Sequence, residues 1–244
     1  MFNLGHSRSR TAGDHFLLTA DTFIRAALPG MTNATAIVHV SPAVGAAFTQ
    51  YTAELAANGS LGPAAAQRFV YVLEGSVVLS AEDSTHTLNA NGYAYIPEDL
   101  EHSITSTQPA KLAVIEKKYQ VLDGVEAPGL FIGDETRITP TALNGDEDLA
   151  VRTLLPGDSS FDFAVNTMGY VPGATLAQTE IHVMEHGLLM LTGGGIYKLG
   201  DQWYPVTAGD FIYMAPFCPQ WFGALGKQPA KYLIYKDWNR HPLA

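Results

Sequence analysis

The chain is poor in cysteine, in charge and in long apolar runs, and each scarcity closes off a class of function. Its 244 residues include one cysteine, Cys218. No intrachain disulfide can form, which fits a reducing cytoplasm. Charged residues make up 16% of the chain against 47% hydrophobic. That balance belongs to a compact, sheet-rich protein rather than a disordered one. Lys and Arg number 14 against 24 Asp and Glu, for a net charge of −10, and no basic run or stripe is present. Nucleic acid and anionic membrane surfaces are therefore not expected partners. No uninterrupted apolar stretch reaches the roughly 18 residues of a membrane span, and no signal-peptide run opens the sequence. The expected setting is cytoplasmic, and the expected partner is a small molecule.

What the sequence does contain is a repeat. Phe69-Val70-Tyr71-Val72-Leu73-Glu74-Gly75 matches Gly187-Leu188-Leu189-Met190-Leu191-Thr192-Gly193. Gly92-Tyr93-Ala94-Tyr95-Ile96-Pro97 matches the run from Gly209 to Pro216, and Leu112–Lys117 matches Lys231–Lys236. Leu73 to Leu191 spans 118 positions, Gly92 to Gly209 spans 117, and Ile115 to Ile234 spans 119. A nearly constant offset predicts two copies of one domain of about 118 residues. The joint is placed at Asp123–Pro128, where Asp, Gly and Pro cluster. The expected domains are residues 1–125 and 126–244.

Each copy reads as short strands between turns. Ala36–Val40 is β-branched and stops at Ser41-Pro42, and Val77–Leu79 runs into the polar turn Glu82-Asp83-Ser84. Ile196–Leu199, Gly200-Asp201 and Trp203–Val206 have the pattern of a hairpin. Gln50–Ala57 has some helical propensity through its alanines. Its counterpart, Phe163–Tyr170, reads as strand, so both are assigned as strand. Many short strands with Gly and Pro turns predict an all-β sandwich or barrel.

The chemistry concentrates in Glu180-Ile181-His182-Val183-Met184-Glu185-His186, followed by Gln220. On a strand, Glu180, His182 and His186 share one face. A carboxylate and two imidazoles on one side make a metal site, and Gln220 is placed to complete it. Four polar groups aimed into an apolar barrel are costly to bury without a metal or ligand. The same run contains H-x-x-E-H, the pattern of inverted zinc peptidases. That motif needs a helix, which the nearby Gly187 and Gly193-Gly194-Gly195 disfavour. In the first copy, Gly62, Ala64, Arg68 and His102 fall opposite Glu180, His182, His186 and Gln220. One ligand-type residue survives there, so the first copy is read as structural and His102 as a leftover or a hydrogen-bonding histidine. Cys218 has no His or Asp partner in sequence and is read as buried and inert.

These positions resemble the cupin superfamily, small β-barrels whose first motif is H-x-H-x3–4-E. Glu180, His182, His186 and Gln220 stand where His, His, Glu and His usually stand. The first copy keeps Gly92, Pro97 and His102 of the second motif. The resemblance implies a bicupin: two tandem double-stranded β-helix (jelly-roll) barrels, the first with a degenerate site and the second metal-binding and catalytic. The substitution pattern resembles the (S)-ureidoglycine aminohydrolase family. The residues that carry it are Glu180-x-His182-x3-His186-Gly187, Gly193-x-Gly195-x-Tyr197, Trp203-x-Pro205-Val206, Gly209–Ile212, Gln220, Tyr235-Lys236-Asp237 and Asn239-Arg240. Pro29-Gly30 and Tyr71–Gly75 add to it from the first copy. Ile181 departs from the threonine the pattern leads one to expect, and it faces away from the ligands.

That resemblance implies Mn(II)-dependent hydrolysis of a ureido acid, (S)-ureidoglycine, to (S)-ureidoglycolate and ammonia in allantoin and purine catabolism. An oxygen and nitrogen donor set suits Mn(II) and would also accept other first-row divalent metals. The implied ligands are Glu180, His182, His186 and Gln220. The implied catalytic residues are Glu180 and Lys236, with Lys236, Tyr197 and Tyr232 binding the substrate. It also implies a homo-oligomer. Two other readings stand beside it: another metal-dependent cupin enzyme, such as a dioxygenase or isomerase, and a non-catalytic cupin that binds a small acid. No basic helix-turn-helix segment of a sensor is present, and Met1–Arg10 is too short to supply one.

Overall fold

The computed structural model describes residues 5–237, 239 and 240. Just over half of them lie in antiparallel strands, with 3-10 turns at Ala20–Thr22, Pro42–Val44 and Glu135–Arg137. No helix among them is long and apolar enough to cross a membrane. The chain folds as two compact units. One takes the described residues up to Phe23, Thr139–Gly157 and the described residues from Phe163, and the other takes Ile24–Ile138 with Asp158–Asp162.

The unit built on Ile24–Ile138 is a nine-stranded antiparallel sheet. Gln67–Glu74 lies between Gly92–Ile96 and Ala110–Lys117. Thr49–Leu61 is long enough to pair with Ala110–Lys117 through its first half and with His102–Thr105 at its end. It thereby curls the sheet around its own apolar face. That face is filled by inward residues of period-2 strands, among them Tyr51, Ala53, Leu55, Val70, Val72, Leu112 and Val114.

The other unit pairs an eight-stranded sheet with the three-stranded sheet Gln202–Thr207, Gly194–Leu199 and Gln220–Ala224. His186–Thr192 lies between Phe211–Met214 and Ala230–Lys236 in the larger sheet. Leu188, Met190 and Ile234 from one sheet meet Tyr197, Leu199 and Phe222 from the other in a single core. Pro205 is tolerated because Gln202–Thr207 is an edge strand of its sheet.

The repeat is visible in the ladders. His186 pairs with Met214 on one side and Lys236 on the other, and Arg68 pairs with Ile96 and Glu116 in the same arrangement. Gly75 and Gly193 follow equivalent strands, both with positive φ. A Cβ at Gly75 would lie 2.7 Å from the Pro109 carbonyl oxygen, and one at Gly193 would lie 2.4 Å from that of Pro229. Neither turn admits a side chain.

Two strands cross the division expected at residues 125 and 126. His15–Leu18 pairs with Phe211–Met214, so the N-terminal arm belongs to the unit that holds the second copy. Arg8 fastens it with a bidentate contact to the buried Asp210 at 2.6 and 2.9 Å. Phe131–Asp134 pairs with Gly92–Ile96 and extends the first copy's sheet past its repeat. Each added strand covers an edge that would otherwise expose unpaired backbone groups.

Asp158–Asp162 docks on the first-copy unit through one buried carboxylate. Asp162 is fully buried and accepts from Gln67 Nε2 at 2.7 Å, Gln120 N at 2.8 Å and Lys117 Nζ at 2.5 Å. Tyr95 donates to Gln67 Oε1 at 2.8 Å and closes the network. Removing one member leaves an uncompensated buried charge. Asp162→Ala is expected to lower the unfolding free energy of this protein by roughly 3–5 kcal/mol, measured by urea denaturation. A loss below about 1 kcal/mol would show that the pair is not isolated from solvent.

Candidate functional site

The site lies in the unit that holds the second copy, and backbone pairing builds it. Glu180 and Gln220 exchange both backbone hydrogen bonds, N to O at 2.8 and 3.0 Å. That bridge sets their side chains beside one another on one face. The expected continuous strand from Glu180 to His186 does not form. Glu180 is an isolated bridge, residues 181–185 are irregular, and His186 opens the strand His186–Thr192. The segment is held by contacts outside any ladder. The His182 carbonyl accepts from Phe217 N at 2.7 Å, and Glu185 N donates to Asp237 Oδ1 at 2.9 Å. The inside–outside alternation survives: Ile181 and Val183 are exposed, while Glu180, His182 and Met184 are partly buried. No helix forms at His182–His186, and the buried Glu185 faces the Tyr213 hydroxyl at 3.3 Å. The peptidase geometry is absent.

His182 Nε2 is the point of convergence. His186 Nε2 lies 3.4 Å from it, Gln220 Nε2 2.9 Å and Glu180 Oε2 4.0 Å. His186 Nδ1 faces the Tyr235 carbonyl at 3.0 Å and carries the proton that this contact requires. Burial, then His182 and Lys236, pushes the His186 pKa down to about 3. His186 is therefore neutral, with the Nε2 lone pair aimed at His182. Two imidazoles, a carboxylate and a carboxamide, the other three within 4.0 Å of His182 Nε2, are a donor set that suits a divalent cation with oxygen and nitrogen ligands. The Gln220 carboxamide can present either end by a flip. The cluster is open on the Glu180 side, where that side chain is 35% exposed.

The remaining expected residues surround these four. Lys236 is directly across the ladder from His186. Burial lowers its pKa and the Glu180 charge opposes that shift, so both residues act on one electrostatic environment. Tyr197 is fully buried, and its hydroxyl lies 3.5 Å from Gln220 Oε1. Tyr232 is buried deeper in the core, with its hydroxyl 2.7 Å from that of Tyr170 and 3.3 Å from Met168 Sδ. Burial holds both Tyr197 and Tyr232 far above the ordinary tyrosine pKa. Tyr170 is an addition to the sequence-based set. It lies on Ala164–Tyr170, and the Glu180 charge helps to raise its pKa. The inward alternation Met168, Tyr170 was the available signal.

The equivalent place in the first copy has the opposite character. The Arg68 guanidinium donates to Glu116 Oε1 at 2.8 Å, the Gly62 carbonyl at 2.7 Å and His102 Nε2 at 2.9 Å. His102 Nδ1 donates to the Leu100 carbonyl at 2.7 Å. An internal cation occupies the frame, and His102 is a hydrogen-bonded histidine.

Comparison with known proteins agrees with the geometry. A Cupin domain family model matches residues 166–235. A protein of Oryza sativa subsp. japonica named "Probable (S)-ureidoglycine aminohydrolase" is 41% identical over 98% of this chain and 78% of its own length. The (S)-ureidoglycine aminohydrolase of Arabidopsis thaliana is 40% identical over 98% of this chain and 80% of its own. The crystal structure of protein Ylba from E. coli superposes with a TM-score of 0.86 at 28% identity, covering 98% of this chain and 97% of that one. The chain belongs to the (S)-ureidoglycine aminohydrolase family and has the two-barrel cupin fold that the resemblance implied.

Proposed function

We propose that this protein hydrolyses (S)-ureidoglycine to (S)-ureidoglycolate and ammonia, with Mn(II) held by Glu180, His182, His186 and Gln220. The convergence of those side chains on His182 Nε2, with Lys236 across the ladder from His186, carries the reading. Family membership supports the substrate. The donor set contains no thiolate, which favours Mn(II) over softer preferences without excluding other first-row ions. When bound, the ion supplies a Lewis acid that orients the substrate and polarises the reacting groups.

The chain's own residues supply the rest. In the reaction, the bond from the central carbon to the amine nitrogen breaks and a water oxygen takes its place. Glu180 accepts the proton from water on its carboxylate and returns it to the departing amine. Its partial exposure gives water access, and its backbone bridge to Gln220 keeps it in place. Lys236 pairs with the substrate carboxylate. Burial penalises its ammonium, and an arriving anion relieves that penalty. Tyr197 orders Gln220, and Tyr232, expected to bind the substrate, acts from behind through its hydroxyl contact with Tyr170.

Three outcomes are expected. Purified protein loaded with Mn(II) releases ammonia from fresh (S)-ureidoglycine well above the spontaneous rate, and EDTA-stripped protein does not. A rate equal to background with manganese bound would remove this substrate. Glu180→Gln loses about 10²-fold or more in kcat, the scale of a lost acid–base group, with an unchanged unfolding midpoint; near-normal turnover would rule out its proton role. Lys236→Met raises KM tenfold or more while raising the unfolding midpoint of the ligand-free protein, because a penalised, half-buried charge is gone. A lowered midpoint with normal KM would make Lys236 a structural residue.

A further inference from the structure

A second group of ligand-type side chains lies on the same unit. Among the described residues, one set of three His, Cys, Asp or Glu has all its ligand atoms within 4.8 Å of one another: Asp14, His15 and Cys218. The N-terminal arm brings the first two. His15 pairs with Met214 across the added strand, and Ala215 N donates to the Asp14 carbonyl at 2.9 Å. The turn after Met214 then delivers Cys218, through Phe217 at a φ of 63° and the Cys218 N to Ala215 O bond at 3.1 Å.

The contacts distinguish two kinds of chemistry. Asp14 Oδ1 lies 2.8 Å from His15 Nδ1, and Cys218 Sγ lies 3.9 Å from that same nitrogen. A nucleophilic triad needs its acid and its nucleophile on opposite ring nitrogens. Here the opposite nitrogen, Nε2, faces the Tyr204 hydroxyl at 2.9 Å. Three ligand atoms within 4.8 Å of one another, with the far side of the imidazole held by a hydrogen bond, make a set that a metal can use with its outer support already in place. An ion at ~2.3 Å from sulfur and ~2.0 Å from nitrogen and oxygen sets tetrahedral donor pairs roughly 3.3–3.6 Å apart. The observed contacts bracket that spacing, so side-chain shifts of about half an ångström suffice. His15 and Cys218 are buried, while the Asp14 side chain is 47% exposed and gives an entry path.

We propose that Asp14, His15 and Cys218 form a second metal site, one that takes a soft divalent cation of the zinc class. Coordination displaces the Cys218 thiol proton to solvent, and an open position remains toward the Asp14 side. Lys198, the cation that bears on the thiol, is turned onto the Gly200 carbonyl at 2.5 Å. The site is independent of the proposed hydrolysis.

The chain has a single cysteine, so a thiolate signal has one source. Co(II) added to EDTA-stripped protein is expected to give a near-ultraviolet thiolate-to-cobalt charge-transfer band. The band should persist in His182→Ala and vanish in Cys218→Ser. Asp14→Asn, on an exposed side chain that leaves the fold intact, should weaken Zn(II) binding tenfold or more. Cobalt bound without the band would overturn the site, as would a band lost in His182→Ala or unchanged zinc affinity in both Cys218→Ser and Asp14→Asn. Ammonia release from (S)-ureidoglycine is scored separately, so failure of either proposal is distinguishable.

Discussion

The reciprocal backbone bonds between Glu180 and Gln220 are the constraint on which the site depends. Residues 181–185 lie outside the sheet, and a loop of this kind does not hold an imidazole in place unaided. The bridge fixes its start, and the strand His186–Thr192 fixes its end. Between them the chain has few ways to turn, and His182 falls between Glu180, His186 and Gln220. The core behind this frame is dense with aromatic rings. Phe222 makes edge contacts with Tyr170 and Tyr232 and packs beside Tyr197. Rigid rings with interlocked edges leave the frame little room to deform.

The two copies use one ladder for opposite electrostatic ends. At the position of His186 the first copy has Arg68, and across from it Glu116 stands where Lys236 stands, one residue before the Lys117 that the sequence match set there. The first frame surrounds a guanidinium with acceptors: a carboxylate, a backbone carbonyl and an imidazole nitrogen. The second frame gathers acceptors with no protein cation among them, and places the lysine at its margin. A guanidinium carries its own charge permanently, so the first copy needs no ion to satisfy its inward polar groups. The second copy's donor set calls for one. The two copies thus share a backbone geometry, one frame being closed by a side chain and the other partly exposed.

The N-terminal arm shows how tertiary pairing creates proximity that spacing along the chain hides. Asp14 and His15 precede Cys218 by some two hundred residues, yet a single added strand seats them against the turn that carries it. The same arm brings Arg8 onto Asp210. An edge strand chooses its sheet by which unpaired backbone it can cover. Nothing in the local pattern of His15–Leu18 names that edge.

By itself the sequence determined the strands, the repeat and the grouping of four polar side chains. These follow from local rules: alternation of period two, turn residues with special φ, and an offset near 118 between copies. Glu180, His182, His186 and Gln220 were readable because inward alternation persists even where the ladder stops. Tertiary structure alone decided which unit receives His15–Leu18 and Phe131–Asp134, that residues 181–185 leave the sheet, that Tyr232 turns its hydroxyl to Tyr170, and that Cys218 has neighbours capable of binding a metal. The physical reason is common to all four. Each depends on long-range pairing or on competition for a buried hydrogen bond, and these are set by whichever distant group satisfies the backbone or the hydroxyl at least cost.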